Sequence, residues 1–350
     1  FLFQITPYST YHGVEHTTST VCALGPSYDI MGKKYADFLG VSSHELYHAW
    51  NVKTIRPKEM LPYNYQEENY SQLGYVYEGV TTYMGDKFLF SSGVFDEAQY
   101  FKELSAYIER HFHSGGRFNY SVAESSFDTW LDGYVLGAPN RKTSIYTEGC
   151  LFSFILDVKL RTIPTGSGGL DALMKKLYAQ AKNGNGYSKE DYIKFASEIA
   201  GEDLTYLFDD LLYRGVSYRE ALDWALSELG LGLVEKDDSS WSRRLGLKGT
   251  YSNGAYKVAD VAFDSDADKF NLIRDDQVIS VNGFKVTGDL DKWLEYFGKE
   301  KVELGVLRKG KLGFIVLQPE YSNGYKKYSL KRMNDASDIQ KANFEIWKNE

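Results

Sequence analysis

The chain has 350 residues, a formal net charge of -8, 43% hydrophobic residues and 25% charged residues, which is long enough for two domains and a sizeable core. The acidic balance, without any run of Lys or Arg, argues against a nucleic-acid partner, because counterion release needs clustered cations. The longest apolar runs, such as 151–156 interrupted by Ser153, are far too short for a membrane span. The two cysteines, Cys22 and Cys150, make neither a disulfide framework nor a metal-ligand pair and read as buried small hydrophobes.

In chain order, residues 1–6 alternate apolar and polar side chains and read as a strand entered in its middle, which points to a longer parent protein. Residues 11–21 are rich in β-branched side chains and are expected to form one extended strand. Glu15 lies on it. A strand carboxylate beside a metal centre can hold a substrate ammonium through a charge-assisted bond, although by spacing alone an exposed strand Glu is the preferred reading.

The next segment, Ser43-His44-Glu45-Leu46-Tyr47-His48-Ala49-Trp50, carries a His-Glu-x-x-His motif on a helix expected from about 31–34 to beyond Trp50, with Pro57 as its limit. Side chains four apart share a helix face, so His44 and His48 can reach one metal ion while Glu45 points at the same place. Catalytic zinc takes three protein ligands and leaves a position for water, and a neighbouring carboxylate can act as general base. With only six His in the chain, such a pair enclosing a Glu is unlikely to arise by chance. Lys53 and Arg56 read as cations that complement the helix C-terminus.

A third ligand is required, and the acidic candidates downstream are Glu67, Glu68 and Glu78. Glu67 and Glu68 stand in a polar, turn-forming segment. Glu78 sits among apolar and aromatic residues on a helix opening at Leu73, and a buried carboxylate needs a partner such as a metal. Glu78 is therefore chosen. A further helix is expected over 96–113, ending in His111-Phe112-His113, which read as terminal His residues favoured by the helix dipole. Residues 115–139 look irregular. An apolar helix is expected over 144–158, with Tyr146 at its start, where a phenol can donate to an oxyanion, although a lone Tyr is more often plain packing. Gly149 in this helix costs about 1 kcal/mol relative to Ala and calls for a reason such as close backbone approach.

Helices over 168–182, 188–200 with Ser188 as N-cap, and 203–213 complete a bundle. The composition then shifts to Gly, Asp and Ser around 228–240, and short β-type runs follow, with Asn282-Gly283 as a hairpin signal and a short helix over 290–297. A last helix over 335–347 is expected to pack back on the protein. The fold class expected is α+β, with a mainly helical domain over 1–229, a small β-rich domain over 230–322, and a tail over 323–350.

These residues resemble the glycyl aminopeptidase family, a gluzincin group of zinc metallopeptidases with a thermolysin-like catalytic domain followed by a PDZ domain. The marks are His44-Glu45-Leu46-Tyr47-His48-Ala49-Trp50-Asn51-Val52-Lys53 with Ile55-Arg56-Pro57, and Tyr77-Glu78-Gly79-Val80-Thr81-Thr82-Tyr83. The resemblance implies Zn2+ held by His44, His48 and Glu78, with Glu45 as base. Gly13-Val14-Glu15-His16 is similar to the family's Gly-x-Glu-His strand, so Gly13 and Glu15 become substrate-binding residues that anchor a free N-terminus. Tyr146-Thr147-Glu148-Gly149 is similar to a Tyr-x-Lys-Gly element whose Tyr steadies the tetrahedral intermediate, and Glu148 here replaces the Lys.

Leu245-Gly246-Leu247 and Val278-Ile279-Ser280-Val281-Asn282-Gly283 look like a PDZ carboxylate loop and its strand-turn element, able to take a peptide C-terminus by strand addition. The usual Gly-Leu-x-x-Gly-Asp appears here as Asn271-Leu272-Ile273-Arg274-Asp275-Asp276. The resemblance also implies an N-terminal β domain ahead of the catalytic one, which is expected to be missing from a sequence that opens in mid-strand at Phe1. The function implied is a zinc aminopeptidase removing Gly or Ala from peptides with a free N-terminus. Its rivals are a zinc endopeptidase with PDZ-guided delivery and a catalytically silent PDZ peptide-binding protein. Localisation is left open between a bacterial cell envelope (periplasm) and the cytoplasm.

Overall fold

Alternation of apolar and polar residues in the first 24 positions builds a three-stranded sheet from β1 (Leu2–Thr6), β2 (Tyr11–Glu15) and β3 (Ser19–Leu24) in the order β1-β3-β2. β1 runs parallel and β2 antiparallel to β3. The single strand expected over 11–21 is thus two, because a tight turn closed by the His16 amide on the Ser19 carbonyl at 2.9 Å folds it back. The computed structural model describes residues 1–7, 10–133, 137–162 and 168–349.

Helices follow. The motif helix runs over Tyr35–Tyr47, shorter at both ends than expected. Residues 31–34 form turns, and beyond Tyr47 the chain tightens so that the Asn51 carbonyl meets the His48 ring. Glu78 lies on a π-helical segment, Tyr75–Val80, that passes directly into the helix Thr81–Ser91. The helix Glu97–His113 starts from a capping box of Asp96 and Gln99. Residues 115–139, expected to be irregular, contain short helices Val122–Phe127 and Thr129–Asp132, the first launched by a capping box of Ser121 and Glu124. Residues 134–136 of that segment lie outside the described ones.

The apolar helix spans Ile145–Thr162. Gly149 has the close approach its position called for: a Cβ there would stand 2.6 Å from the Gly79 Cα and 2.9 Å from the Tyr75 Cα. Helices Gly169–Lys182, Lys189–Ala200 and Thr205–Leu212 complete the expected bundle, with Ser188 and Asp191 forming a capping box. A further helix, Arg219–Glu228, was not foreseen.

The β region has a mostly antiparallel meander. β5 (Leu247–Ser252), β6 (Ala255–Val261), β7 (Gln277–Val281), β9 (Val302–Arg308) and β10 (Lys311–Leu317) lie in the order β10-β9-β7-β6-β5, with β8 (Phe284–Lys285) paired to β7. Asn282 and Gly283, at φ 48 and 79, make the expected hairpin turn between β7 and β8. This region has its own apolar core, with Leu245, Val258, Leu272, Val278, Leu290 and Leu304 at its centre. It is bracketed by β4 (Leu231–Asp237) and β11 (Lys326–Arg332), which pair with each other antiparallel.

After β11 the helix Asp338–Asn349 returns to the helical body, as expected. Its Phe344 and Trp347 are fully buried beside Phe90, Tyr100 and Phe154. The Trp347 indole donates to the Tyr83 hydroxyl, which in turn donates to Asp157 at 2.6 Å. No helix among the described residues is long and apolar enough to cross a membrane.

Candidate metal centre

Two close helix approaches set the site. Gly85 lets the helix Thr81–Ser91 press against the motif helix, since a Cβ there would stand 3.1 Å from the His44 Cα, and Ser43 Oγ donates to the Gly85 carbonyl at 2.7 Å. The Gly79 and Gly149 approach then holds the π-helical segment against the Ile145–Thr162 helix. Both crossings use glycine where a side chain would collide with backbone. A π-helical turn carries an extra residue per turn and is characteristic of functional positions, and here it presents Glu78 to the two histidines.

His44 Nε2, His48 Nε2 and Glu78 Oε2 converge. The nitrogens are 3.0 Å apart and stand 3.4 and 3.3 Å from the carboxylate oxygen. A tetrahedral zinc site with bonds of about 2.0–2.1 Å separates its ligand atoms by about 3.4 Å. Glu78 Oε2 is buried and makes no hydrogen bond of good geometry. His48 Nδ1 lies 2.7 Å from the Asn51 carbonyl and donates to it. Thr82 Oγ1 already donates to the Glu78 carbonyl at 2.8 Å, so at 3.5 Å from His44 Nδ1 it accepts. Both imidazoles are thereby oriented with Nε2 towards one point shared with a carboxylate, as in metal-binding histidines whose other ring nitrogen is held by a hydrogen bond. The donor set fits zinc.

The electrostatics agree. Burial opposes charge on Glu78, but His48 and His44 outweigh it and hold its carboxyl down at about 2. Burial lowers the His48 pKa, and the Glu78 carboxylate more than reverses this, to about 9. The point between these groups attracts positive charge, and a metal ion supplies it in place of the proton.

Glu45 is buried and is pushed up to about 7 by burial, with His48 pulling the other way and Glu15 and Glu78 adding to the rise. Gly13 makes room for it: a Cβ there would lie 2.0 Å from Glu45 Oε1. Glu15, Glu45 and His48 form a second cluster whose ligand atoms lie within 4.8 Å of one another. The Glu15 carboxylate is paired with Lys53 Nζ at 3.0 Å. The Tyr146 ring centroid is 6.3 Å from that of His44. All seven expected site residues therefore gather at one place, whereas Glu67 is bonded to Asn64 in the exposed loop.

Other features were not read from sequence. Lys53 is a partner of Glu15 and not merely a helix-terminal cation. His111 is fully buried and not a solvent-side dipole residue: its Nδ1 donates to Glu148 Oε2 at 2.6 Å, and its Nε2 accepts the Tyr218 amide at 3.1 Å. Thr143 donates to the other Glu148 oxygen at 3.0 Å. His113 meets the Lys326 carbonyl at 2.8 Å and Lys248 Nζ at 3.1 Å, joining the helical body to the β region. The one sequence signal for the His111 pair was the Glu148 that stands where the resembling element has Lys.

Comparison with known proteins bears on this geometry. The sequence profile of the family described as M61 glycyl aminopeptidase matches residues 37–152, which include His44, Glu45, His48, Glu78 and Tyr146. No curated protein sequence matches the chain. A crystal structure of an aminopeptidase N family protein from Idiomarina loihiensis is similar to the chain at TM-score 0.85 and 27% identity, covering 99% of this chain. The chain spans 62% of the length of that protein. The profile match over the motif residues and this shared fold make residues 37–152 similar to the M61 glycyl aminopeptidase family.

Proposed function

We propose that the chain carries the active centre of a zinc-dependent aminopeptidase that removes small N-terminal residues from peptides. The observation that supports this most is the convergence of His44, His48 and Glu78 on one point at tetrahedral ligand spacing, with the Glu45 carboxylate alongside. When bound, zinc supplies Lewis-acid polarisation and a water of lowered pKa. Glu45, pushed up to about 7 by burial, would serve as the base that takes a proton from the attacking water and returns it to the leaving amine. Tyr146 donates to the oxyanion of the attacked carbonyl, and Gly13 keeps the strand from displacing Glu45. Glu15 receives the substrate ammonium. The preference for Gly rests on the description of the matching family, and that for Ala on the sequence resemblance alone.

The β region is read as a PDZ-type module, supported by its edge strand β5, the helix Leu290–Phe297 and the Leu245-Gly246-Leu247 turn that leads into β5. The domain division at about 229 and 322 is kept as a proposal, with β4, β11 and the last helix serving the helical body.

A second reading is favoured by one contact. Glu15 is already ion-paired to Lys53, and a carboxylate so neutralised need not select a free amine, as in an endopeptidase. Release of glycine from a Gly-initiated peptide and from its N-acetylated twin separates the two, with zinc and after chelation. The aminopeptidase cleaves only the free-amine peptide and stops on chelation. Chelation-sensitive internal cleavage of both peptides would establish the endopeptidase.

A further inference from the structure

The loop that departs from the PDZ pattern, residues 271–276, reaches the helical body. Its shape is fixed from below. Asp276, fully buried, holds Arg308 through two contacts of 2.7 Å and accepts the Ile273 amide at 2.9 Å, while Leu272 is buried in the β core. Asn271 and Asp275 turn the chain with φ of 58 and 70. The residue this loop projects is Arg274, whose guanidinium donates to the Gly137 carbonyl at 3.3 Å.

Arg274 lines a pocket of about 380 Å³ together with Thr129, Asp132, Thr143, Ser144 and Tyr146. This is the volume range of small-ligand sites, and Tyr146 forms a wall shared with the metal centre. The charges in the pocket do not cancel. Asp132 is paired with both Arg141 at 2.8 Å and Lys142 at 2.5 Å, and Asp128 with Arg141 at 2.8 Å. Those two carboxylates and two cations balance. Arg274 has no carboxylate partner among the described residues, and its Nε is buried with no hydrogen bond. A buried donor left without an acceptor is costly, and a guanidinium is shaped to take a carboxylate in two parallel bonds. The pocket also meets the first turn of the Ile145–Thr162 helix, where amide N–H groups and the helix dipole favour an anion.

We infer that this pocket is a carboxylate subsite that receives the free C-terminus of a short peptide on the leaving-group side, with Arg274 of the β region as its principal ligand. The inference rests on the peptidase reading of the metal centre. It makes the β region part of the substrate cleft and short oligopeptides the substrate class. An acidic side chain in a longer peptide has the same chemistry, so the test separates the two sources.

The test measures equilibrium binding by calorimetry to the zinc-loaded full chain carrying Glu45→Gln, so that peptides stay intact. The probes are Gly-Ala-Phe as the free acid, the same peptide as its C-terminal amide, and Gly-Asp-Phe amide. The acid is expected to bind about 10- to 100-fold tighter than the amide, the range of charge-assisted hydrogen bonds. Arg274→Gln brings that ratio towards one, and Arg274→Lys retains part of it. Equal binding of acid and amide, no binding of either, or a ratio that Arg274→Gln leaves intact overturns the inference. So does an equal loss for both peptides, which would mean that Arg274 only braces the loop. A gain confined to the aspartyl amide overturns the C-terminal source. N-acetylated versions of the acid and amide keep the questions apart: equal binding of acetylated and free peptides defeats the amine-anchor reading, while the acid-to-amide ratio still judges the pocket.

Discussion

The chain contains two His–Glu constellations, and they differ in whether any bonding capacity is left over. In the first, His44, His48 and Glu78 face one another at 3.0–3.4 Å, and Glu78 Oε2 has no well-directed hydrogen bond. In the second, His111 and Glu148 approach to 2.6 Å, the other His111 nitrogen accepts the Tyr218 amide, and the other Glu148 oxygen accepts Thr143. Both are largely shielded from water. Each ring nitrogen and each carboxylate oxygen of the closed pair has a hydrogen-bond partner, so the pair ties its helices together, whereas the open trio leaves Glu78 Oε2 without one. Residue type does not separate structure from chemistry here; the satisfaction of each atom does.

This contrast can be broken at several points. The largest effect is expected at Glu45, which the proposed mechanism uses as a base beside the open centre and not as a ligand. Glu45→Gln should lower turnover by about 10²–10⁴-fold while bound zinc stays at one per chain, and kinetics with metal analysis will read both; retained turnover would remove Glu45 as the base. At the closed pair, Glu148→Ala leaves His111 buried without its partner and should cost about 3–5 kcal/mol of stability, measured by urea denaturation. Glu78→Gln, by contrast, should lose zinc and keep the fold. If Glu148→Ala instead lost zinc at unchanged stability, the division between the two constellations would collapse.

A smaller effect sharpens the comparison at a third histidine. His113 is held down to about 4, by burial first and then by Lys248. Its folded pKa lies below its unfolded value, so the unfolded chain binds more protons between about 4 and 6.5. Its contribution to stability is full above about 6.5 and is lost as the pH falls towards 4, by at most about 3 kcal/mol. His113→Gln should flatten the denaturation midpoint across that window, and an unchanged slope would assign it to other groups.

The motif helix was legible because its chemistry is local: His44, Glu45 and His48 fall within five consecutive residues, and helix geometry brings them together. Glu78 could be chosen over Glu67 and Glu68 because its apolar neighbours implied burial, and Gly149 announced a close approach without naming Gly79. What stayed hidden joins positions far apart in sequence. The partners Glu15 and Lys53, His111 and Glu148, and β4 and β11 are set by packing, which no local pattern encodes. The π-helical turn at Tyr75–Val80 was invisible because its apolar spacing also suits an ordinary helix. Arg274 looked like an irregular PDZ loop residue, because its neighbours in space lie well over a hundred positions earlier in the chain.

The pairing of β4 with β11 makes the β region an insertion into the helical body, not an appendage to it. During synthesis at about 5–20 residues per second, the stretch from Leu231 to Trp347 takes on the order of ten seconds to emerge. For that interval Phe90, Tyr100 and Phe154 have no Trp347 to cover them. The inserted β region, with a core of its own, can fold meanwhile, and the helical body is completed last, when the returning helix closes over those aromatic rings.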